Sequence, residues 1–177
     1  MKTTQILIAG FGGQGVLFAG KFLVNKGMME GKEVSWLPSY GPEMRGGTAN
    51  CSIIISDTPV GSPIITNPDA LVAMNLPSLQ KFVDSVVPGG HIFVDSTLIT
   101  AKVERTDVHV HYIPATQMAK DAGFATLANM ILTGKVLKEL EAVSFEGNKE
   151  TLESFIPAKK ANLIDINCQA LQTGYDY

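Results

Sequence analysis

A predicted β-strand runs directly into a glycine-rich turn in the stretch Ile6-Leu7-Ile8-Ala9-Gly10-Phe11-Gly12-Gly13-Gln14-Gly15. The four apolar residues at its start are typical of a buried strand, and residues 13–29 repeat their apolar positions with a helical period of about 3.6. Gly10, Gly12 and Gly15 satisfy the pattern GxGxxG between the two elements. The stretch therefore predicts an α/β fold that begins with a strand, a tight turn and a helix.

The rest of the chain alternates strand and helix patterns. The predicted strands are 5–9, 34–37, 48–56, 70–74, 90–95 and 108–113, and the predicted helices are 13–29, 76–86, 116–122, 125–141, 149–155 and 159–173. Unbroken apolar runs such as Ile53-Ile54-Ile55 are typical of strands that are buried on both faces. We therefore predict a single three-layer, Rossmann-like α/β domain over residues 1–177, with a mostly parallel sheet and a helical C-terminal tail.

Composition and charge limit the possible functions. Hydrophobic residues make up 45% of the 177 residues, which is enough for one substantial core. The net charge of -3 and the pI near 5.6 give no electrostatic reason to expect nucleic acid or an anionic membrane as a partner. Neither a signal peptide nor an apolar run of about 18 residues is recognisable. We therefore expect a cytoplasmic protein without a membrane partner.

The cysteines and histidines do not form a recognisable metal motif. The two cysteines, Cys51 and Cys168, are too few for a four-thiolate zinc or iron–sulfur site, so we expect them to be structural. His109 and His111 lie on one face of a predicted strand, but no further ligand is near them. No arrangement of serine, histidine and acid can be assembled from spacing. We predict neither a metal site nor a catalytic residue in this chain.

The glycine turn predicts phosphate binding, because such turns expose backbone N–H groups at a helix N-terminus. Dinucleotide binding also requires an acidic residue at the end of the second strand. That strand instead reads Val34-Ser35-Trp36-Leu37-Pro38-Ser39, and Glu33 stands at its opposite end. A free-standing dinucleotide-binding protein and a tight turn without a ligand are both alternatives at this point.

A second glycine-rich segment follows, Pro38-Ser39-Tyr40-Gly41-Pro42-Glu43-Met44-Arg45-Gly46-Gly47. Its glycines and proline enforce a bent backbone whose N–H groups can form an anion-binding concavity, and the guanidinium of Arg45 suits phosphate or carboxylate. Glu43 either orients Arg45 or forms a surface ion pair with it. The candidate ligand-binding residues are Gly10, Gly12, Gly13, Gln14, Gly15, Ser39, Tyr40, Gly41, Pro42, Glu43, Arg45, Gly46, Gly47, Asn50 and Asn75.

Both glycine-rich segments resemble those of the gamma subunit of the 2-oxoacid:ferredoxin oxidoreductases. The resemblance continues through Asn67-Pro68-Asp69, 73–79 and Pro88-Gly89-Gly90, and covers about the first 135 residues. The segment Glu43-Met44-Arg45-Gly46-Gly47-Thr48 most resembles the corresponding segment of the 2-oxoglutarate enzymes. Branched-chain 2-oxoacid enzymes look similar, and pyruvate and indolepyruvate enzymes less so.

The resemblance implies a subunit of a hetero-oligomer rather than a complete enzyme. Related complexes convert a 2-oxoacid and coenzyme A into an acyl-CoA and carbon dioxide and pass two electrons to ferredoxin. Thiamine diphosphate and 4Fe–4S clusters lie in the alpha, beta and delta partners, so the isolated chain should be inactive. In fused members the corresponding domain is associated with coenzyme A. The resemblance thus implies that 12–15 and 40–47 bind coenzyme A or contact the thiamine-bearing subunits, and both roles stay open.

Overall fold

The computed structural model describes residues 1–39 and 48–177, apart from the side chain of Thr48. Strands and helices alternate through these ranges as the sequence pattern predicts. The strands are β1 (Thr3–Phe11), β2 (Glu33–Ser39), β3 (Thr48–Ser56), β4 (Ala70–Ala73), β5 (His91–Asp95) and β6 (His109–Ile113). The α-helices are α1 (Val16–Met29), α2 (Leu76–Phe82), α3 (Ala115–Asp121), α4 (Ala128–Leu140), α5 (Asn148–Phe155) and α6 (Asn162–Asp176).

The strands form one sheet in the order β2-β3-β1-β4-β5-β6. The pairs β1–β4, β4–β5 and β5–β6 are parallel, whereas β3 is antiparallel to both β1 and β2. All strands except β3 therefore run in the same direction, and the prediction of a mostly parallel sheet is confirmed. We call the edge where these five strands end the carboxyl edge, and the opposite edge the amino edge.

The sheet is the middle of three layers, as predicted. Along β1, Ile6 and Ile8 face a core that includes α1 and the helices from α3 to α6, while Leu7 faces a second core beneath α2. This alternation explains the unbroken apolar runs, because both faces of the central strands are buried. A short 3₁₀ turn, Val83–Ser85, extends α2 along the second face.

The C-terminal helices form the outer part of the first layer. Helix α4 packs against the sheet, and α6 packs against α4. The two helices meet at Gly134 and Gly174, where an added Cβ would collide with a backbone carbonyl of the facing helix. No helix among the described residues is long and apolar enough to cross a membrane.

Several element boundaries differ from the prediction. Helix α1 begins at Val16 instead of residue 13, because Gly13 (φ 91°) and Gly15 (φ 77°) adopt left-handed conformations that a right-handed helix excludes. Strand β1 is longer than predicted, since all nine of its residues pair with β3. Helix α4 begins three residues later than predicted, at Ala128.

Candidate functional site

The glycine turn, residues 10–15, joins β1 to α1 at the carboxyl edge. The Gln14 N–H donates to the Phe11 carbonyl oxygen over 3.2 Å, and the Ala19 N–H donates to the Gly15 carbonyl oxygen over 3.0 Å. Gly15 is the N-cap of α1 and provides no side-chain hydrogen bond to the helix. The first N–H groups of α1, at residues 16–18, therefore have no intrahelical or capping partner among the described residues and can bind an anion.

The side chain of Gln14 is used inside the turn. Its Oε1 accepts a hydrogen bond from the Phe11 N–H over 2.6 Å, and its Nε2 donates to the Met74 carbonyl oxygen over 3.0 Å. A Cβ at Gly10 would lie 2.6 Å from this Oε1 and 2.9 Å from the Cβ of Met74, so a larger residue there would displace one of these side chains. Gln14 thus joins the turn to the end of β4, and its predicted contact with a ligand stays a prediction.

Asn129, in the first turn of α4, is a residue that sequence reasoning missed. Its Nδ2 donates to the Gly15 carbonyl oxygen over 3.0 Å, and its side chain is buried. A Cβ at Gly15 would lie 2.8 Å from Asn129 Cγ and closer still to Nδ2. The two residues are 114 positions apart, so no local pattern could connect them.

A cavity of about 280 Å³ lies beside the N-terminus of α1. Its described lining consists of Phe11, Leu17, Phe18, Ala49, Val16 and three glycines of the turn. None of these lining residues carries a titratable side chain, so the backbone N–H groups and the dipole of α1 provide the local positive potential. The cavity therefore combines an anion-binding helix end with apolar walls.

The other predicted site residues approach the same edge. Ser39 ends β2 and is paired with Asn50 on β3, which is also paired with Ala9 on β1. Asn75 is the N-cap of α2, and its Oδ1 accepts a hydrogen bond from the Ser78 N–H over 2.8 Å. The remaining predicted residues, Tyr40, Gly41, Pro42, Glu43, Arg45, Gly46 and Gly47, lie outside the described residues.

The strand order bears on the dinucleotide alternative. Because β3 lies between β1 and β2, the end of β2 is two strand spacings from the end of β1, roughly 9–10 Å. The last residues of β2, Leu37 to Ser39, include no acid, and Glu33 begins the strand at the amino edge. The described part of β2 thus offers no carboxylate for a ribose beside the glycine turn.

Two buried groups near the carboxyl edge have structural roles. Burial raises the pKa of the Cys51 thiol to about 12, so the thiol stays protonated and donates weakly to the Val16 carbonyl oxygen. Asp95 at the end of β5 is fully buried, and its Oδ2 accepts a 2.6 Å hydrogen bond from Thr116 Oγ1. The carboxylate thereby joins β5 to α3.

The three histidines of the chain meet on one face of the sheet, at or near the amino edge. His91 Nδ1 lies 3.0 Å from His111 Nε2, and the rings of His91 and His109 have their centroids 4.9 Å apart. Burial lowers the pKa of His91 and His111, that of His111 to about 4. In the described parts of the chain, no group of three or more His, Cys, Asp or Glu residues is arranged to hold a metal ion.

Comparison with known families connects this geometry to a protein class. The family model of pyruvate ferredoxin/flavodoxin oxidoreductase matches residues 5–177. The chain belongs to this family. The match includes the glycine turn, the second glycine-rich segment and all of the C-terminal helices, so it extends beyond the first 135 residues or so that the sequence motifs cover.

Two relatives show that the oxidoreductase domain occurs in chains of different length. Ketoisovalerate oxidoreductase subunit VorA of Methanothermobacter thermautotrophicus is 41% identical over 98% of this chain, yet the match covers 36% of VorA. The chain thus spans just over a third of that relative. The 2-oxoglutarate synthase subunit KorC of Methanocaldococcus jannaschii is 32% identical, and the match covers 97% of this chain and 92% of KorC.

Solved structures show the same oxidoreductase fold. The gamma subunit of a keto/oxoacid ferredoxin oxidoreductase from Geobacter sulfurreducens superposes with a TM-score of 0.82 at 30% identity, covering 98% of this chain and 96% of that one. The 2-oxoglutarate:ferredoxin oxidoreductase of Magnetococcus marinus, solved with 2-oxoglutarate, coenzyme A and succinyl-CoA, gives a TM-score of 0.85 at 23% identity, covering 99% of this chain and 31% of that one. The latter likeness concerns the fold alone.

Proposed function

We propose that this chain is the gamma subunit of a multisubunit 2-oxoacid:ferredoxin oxidoreductase, and that its glycine turn binds part of coenzyme A. The family match supports this role, and so does the similarity to the Geobacter gamma subunit, of which 96% is covered. The alpha, beta and delta partners hold thiamine diphosphate and the 4Fe–4S clusters, which supply decarboxylation and electron transfer to ferredoxin. With two cysteines, this chain does not have the four thiolates that such a cluster requires.

The observation that carries the coenzyme A assignment is the uncapped N-terminus of α1 beside an apolar cavity. Coenzyme A combines phosphate groups with a long arm that has no charge. The N–H groups at residues 16–18 suit phosphate oxygens, and Phe11, Leu17 and Phe18 form an apolar wall for the uncharged part. The coenzyme A bound to the Magnetococcus enzyme, which shares this fold, is further support.

The size of the cavity and the exposed side chains around it support a role in a complex. The described lining encloses about 280 Å³, less than the roughly 300–1,000 Å³ typical of small-molecule sites. Four large apolar side chains near the carboxyl edge are between 38% and 48% exposed: Leu37, Phe11, Leu76 and Leu98. Exposed apolar side chains at this edge favour a contact with a partner subunit there, and Met28, Met29 and Ile64, which are 51–71% exposed, offer further contacts elsewhere.

For the substrate, we propose 2-oxoglutarate, with ketoisovalerate as the second candidate. The near-complete coverage of KorC supports 2-oxoglutarate, and the higher identity to VorA supports ketoisovalerate. The test is to assemble the chain with its partner subunits and to measure CoA-dependent electron transfer from 2-oxoglutarate, ketoisovalerate and pyruvate. We expect the highest kcat/KM with 2-oxoglutarate and no activity from the chain alone. A higher kcat/KM with ketoisovalerate would select the second candidate.

The variant Leu17→Asp tests the coenzyme A site. Its carboxylate would compete with a phosphate for the N–H groups of α1, so we expect the KM for coenzyme A to rise about tenfold relative to Leu17→Asn. The asparagine control loses the same apolar contact without adding a charge. An acid in the first helical turn stabilises the helix dipole, so the thermal stability of Leu17→Asp should equal or exceed that of the control. Equal KM values in the two variants would contradict phosphate binding at this helix end.

A further inference from the structure

The glycine turn has considerable backbone freedom of its own. Gly12, Gly13 and Gly15 have no β-carbon to restrict them, and two of these adopt positive φ values, 91° at Gly13 and 77° at Gly15. Two hydrogen bonds close the described turn from within, from the Gln14 N–H to the Phe11 carbonyl oxygen and from the Phe11 N–H to Gln14 Oε1, and neither involves Gly15. Contacts from outside must therefore help to set its conformation.

Asn129 provides such a contact at the end of the turn that begins α1. Its Nδ2 donates to the Gly15 carbonyl oxygen, which also accepts the first hydrogen bond of the helix from the Ala19 N–H. The carbonyl of Gly15 and the N–H of Val16 belong to one planar peptide unit. Fixing the direction of the oxygen therefore fixes the direction of the first free N–H of the helix.

Asn129 differs from Asn167, which is equally buried and also has no partner for its Oδ1 among the described residues, in that its Nδ2 bonds outside its own helix. The side chain of Asn129 is 4% exposed, and its Oδ1 has no hydrogen-bond partner among the described residues. A buried oxygen without a partner destabilises a folded protein, whereas leucine would fill a similar volume without that penalty. The benefit of asparagine here lies in the bond from Nδ2 to Gly15.

We infer that Asn129 is a positioning residue of the coenzyme A site, acting through the Gly15 carbonyl on the N–H groups at residues 16–18. The inference rests on the proposed function, because the phosphate of coenzyme A is the anion that these N–H groups would bind. Asn129 does not contact coenzyme A in this account. It orients the backbone that does.

The test uses the assembled complex with the variants Asn129→Leu and Asn129→Asp, neither of which can donate to Gly15. We expect the KM for coenzyme A to rise about tenfold in both, a change of about 1.4 kcal/mol, with the KM for the 2-oxoacid within twofold of wild type. The matched control is Asn167→Leu in α6. Asn167 is equally buried, and its Oδ1 also has no partner within residues 1–39 and 48–177, but its Nδ2 donates within its own helix, to the Leu163 carbonyl oxygen.

The control separates positioning from stability. A purely structural role would change the thermal unfolding midpoint alone, as we expect for Asn167→Leu, and would leave the KM for coenzyme A unchanged. A KM for coenzyme A within twofold of wild type in both Asn129 variants would overturn the inference.

Hydrogen exchange of the wild-type complex distinguishes failure of this inference from failure of the proposed function. We expect coenzyme A to protect the amides at residues 16–18. Protection in the wild type together with unchanged KM values in the Asn129 variants would reject the positioning role only. Absence of protection in the wild type would reject the coenzyme A site itself, and the inference with it.

Discussion

The two edges of the sheet differ in whether their polar groups have hydrogen-bond partners. At the carboxyl edge, no described residue caps the first N–H groups of α1. At the amino edge, Lys2 Nζ donates to the Leu140 carbonyl oxygen over 2.7 Å, and Asp69 Oδ2 accepts from the Gln5 N–H over 2.7 Å. The amino-edge cavity is larger, about 470 Å³ against 280 Å³. Unmet bonding capacity, rather than cavity volume, is therefore our reason for proposing the ligand site at the carboxyl edge.

The two edges also differ in the source of their electrostatic potential. The described residues that line the carboxyl-edge cavity have no titratable side chain, so backbone dipoles set the potential there. The amino-edge cavity is lined by Lys2, Asp69, His91, Glu139 and Glu141. We therefore expect pH to affect the stability of the amino edge directly, and glycine substitutions to affect the carboxyl edge most.

We expect the largest effect on stability from alanine substitutions of one glycine at each edge. Gly15 and Gly89 have nearly equal φ values, 77° and 79°, but an added Cβ meets Asn129 at Gly15 and nothing within 4 Å at Gly89. We expect Gly89→Ala to lower the free energy of unfolding by about 1–2 kcal/mol through the backbone alone. Gly15→Ala should cost roughly 2–5 kcal/mol, because overpacking adds to the backbone strain. Urea denaturation of both variants measures the difference, and equal losses would show that Asn129 moves aside freely.

The next largest effect on stability concerns Gln14, whose carboxamide links the glycine turn to the end of β4. Gln14→Met keeps the length of the side chain but removes its bonds to Phe11 and Met74, so we expect a loss of about 1–2 kcal/mol in the free energy of unfolding. The control is Gln117→Met. The side chain of Gln117 donates to the exposed carboxylate of Asp121, so we expect its loss to change the free energy of unfolding by less than about 0.5 kcal/mol. If chemical denaturation gives the same midpoint for both variants, the Gln14 bonds do not stabilise the turn.

The smallest effect is a pH dependence that originates near the amino edge. The pKa of His111 is about 4 in the folded protein, mainly through burial, and about 6.5 in an unfolded chain. Between these values the unfolded state binds more protons, so the stability contributed by neutral His111 is complete above about pH 6.5 and is lost as the pH falls toward about 4. Because the ring is only partly buried, solvent screens the effect and we expect a loss of roughly 1 kcal/mol.

Several charged groups around the histidines modify this titration. The carboxylate of Glu139 favours protonation of His111, whereas Lys135, His91 and His109 oppose it, and Lys2 opposes protonation of His91. Thermal unfolding from pH 7 to pH 4 measures the loss, and His111→Phe should remove most of it. The same slope in wild type and His111→Phe would show that the pH dependence arises elsewhere in the chain.

The periodic patterns predicted most of the fold because their causes are local. The glycine turn, the six strands and the end of α1 at residue 29 all agree with the structure. The start of α1 was wrong by three residues, since the pattern GxGxxG does not say which glycines adopt positive φ. The sequence also gave no sign that β3 runs opposite to the other strands, because strand direction depends on pairing partners far along the chain.

Some residues of the candidate site were predicted from the sequence, and others were found only in the structure. The sequence predicted the glycine turn, Ser39, Asn50 and Asn75 as candidate ligand-binding residues, and the structure brings them to one edge, while their contact with a ligand stays a prediction. It did not identify Asn129, whose role depends on a contact between α4 and the turn. The predicted residues of segment 40–47 lie outside the described residues, so their role stays a prediction.

By itself the sequence determined the α/β class and the turn between β1 and α1, because these depend on the period of apolar residues and on the short-range freedom of glycine. The family followed from the resemblance of the two glycine-rich segments to those of known gamma subunits. Only the tertiary structure decided the order of the strands, the two carboxamides that hold the turn, and the meeting of the three histidines. These features join residues that are distant along the chain, such as Gly15 and Asn129, 114 positions apart. Their proximity follows from how the layers pack, which no local pattern contains.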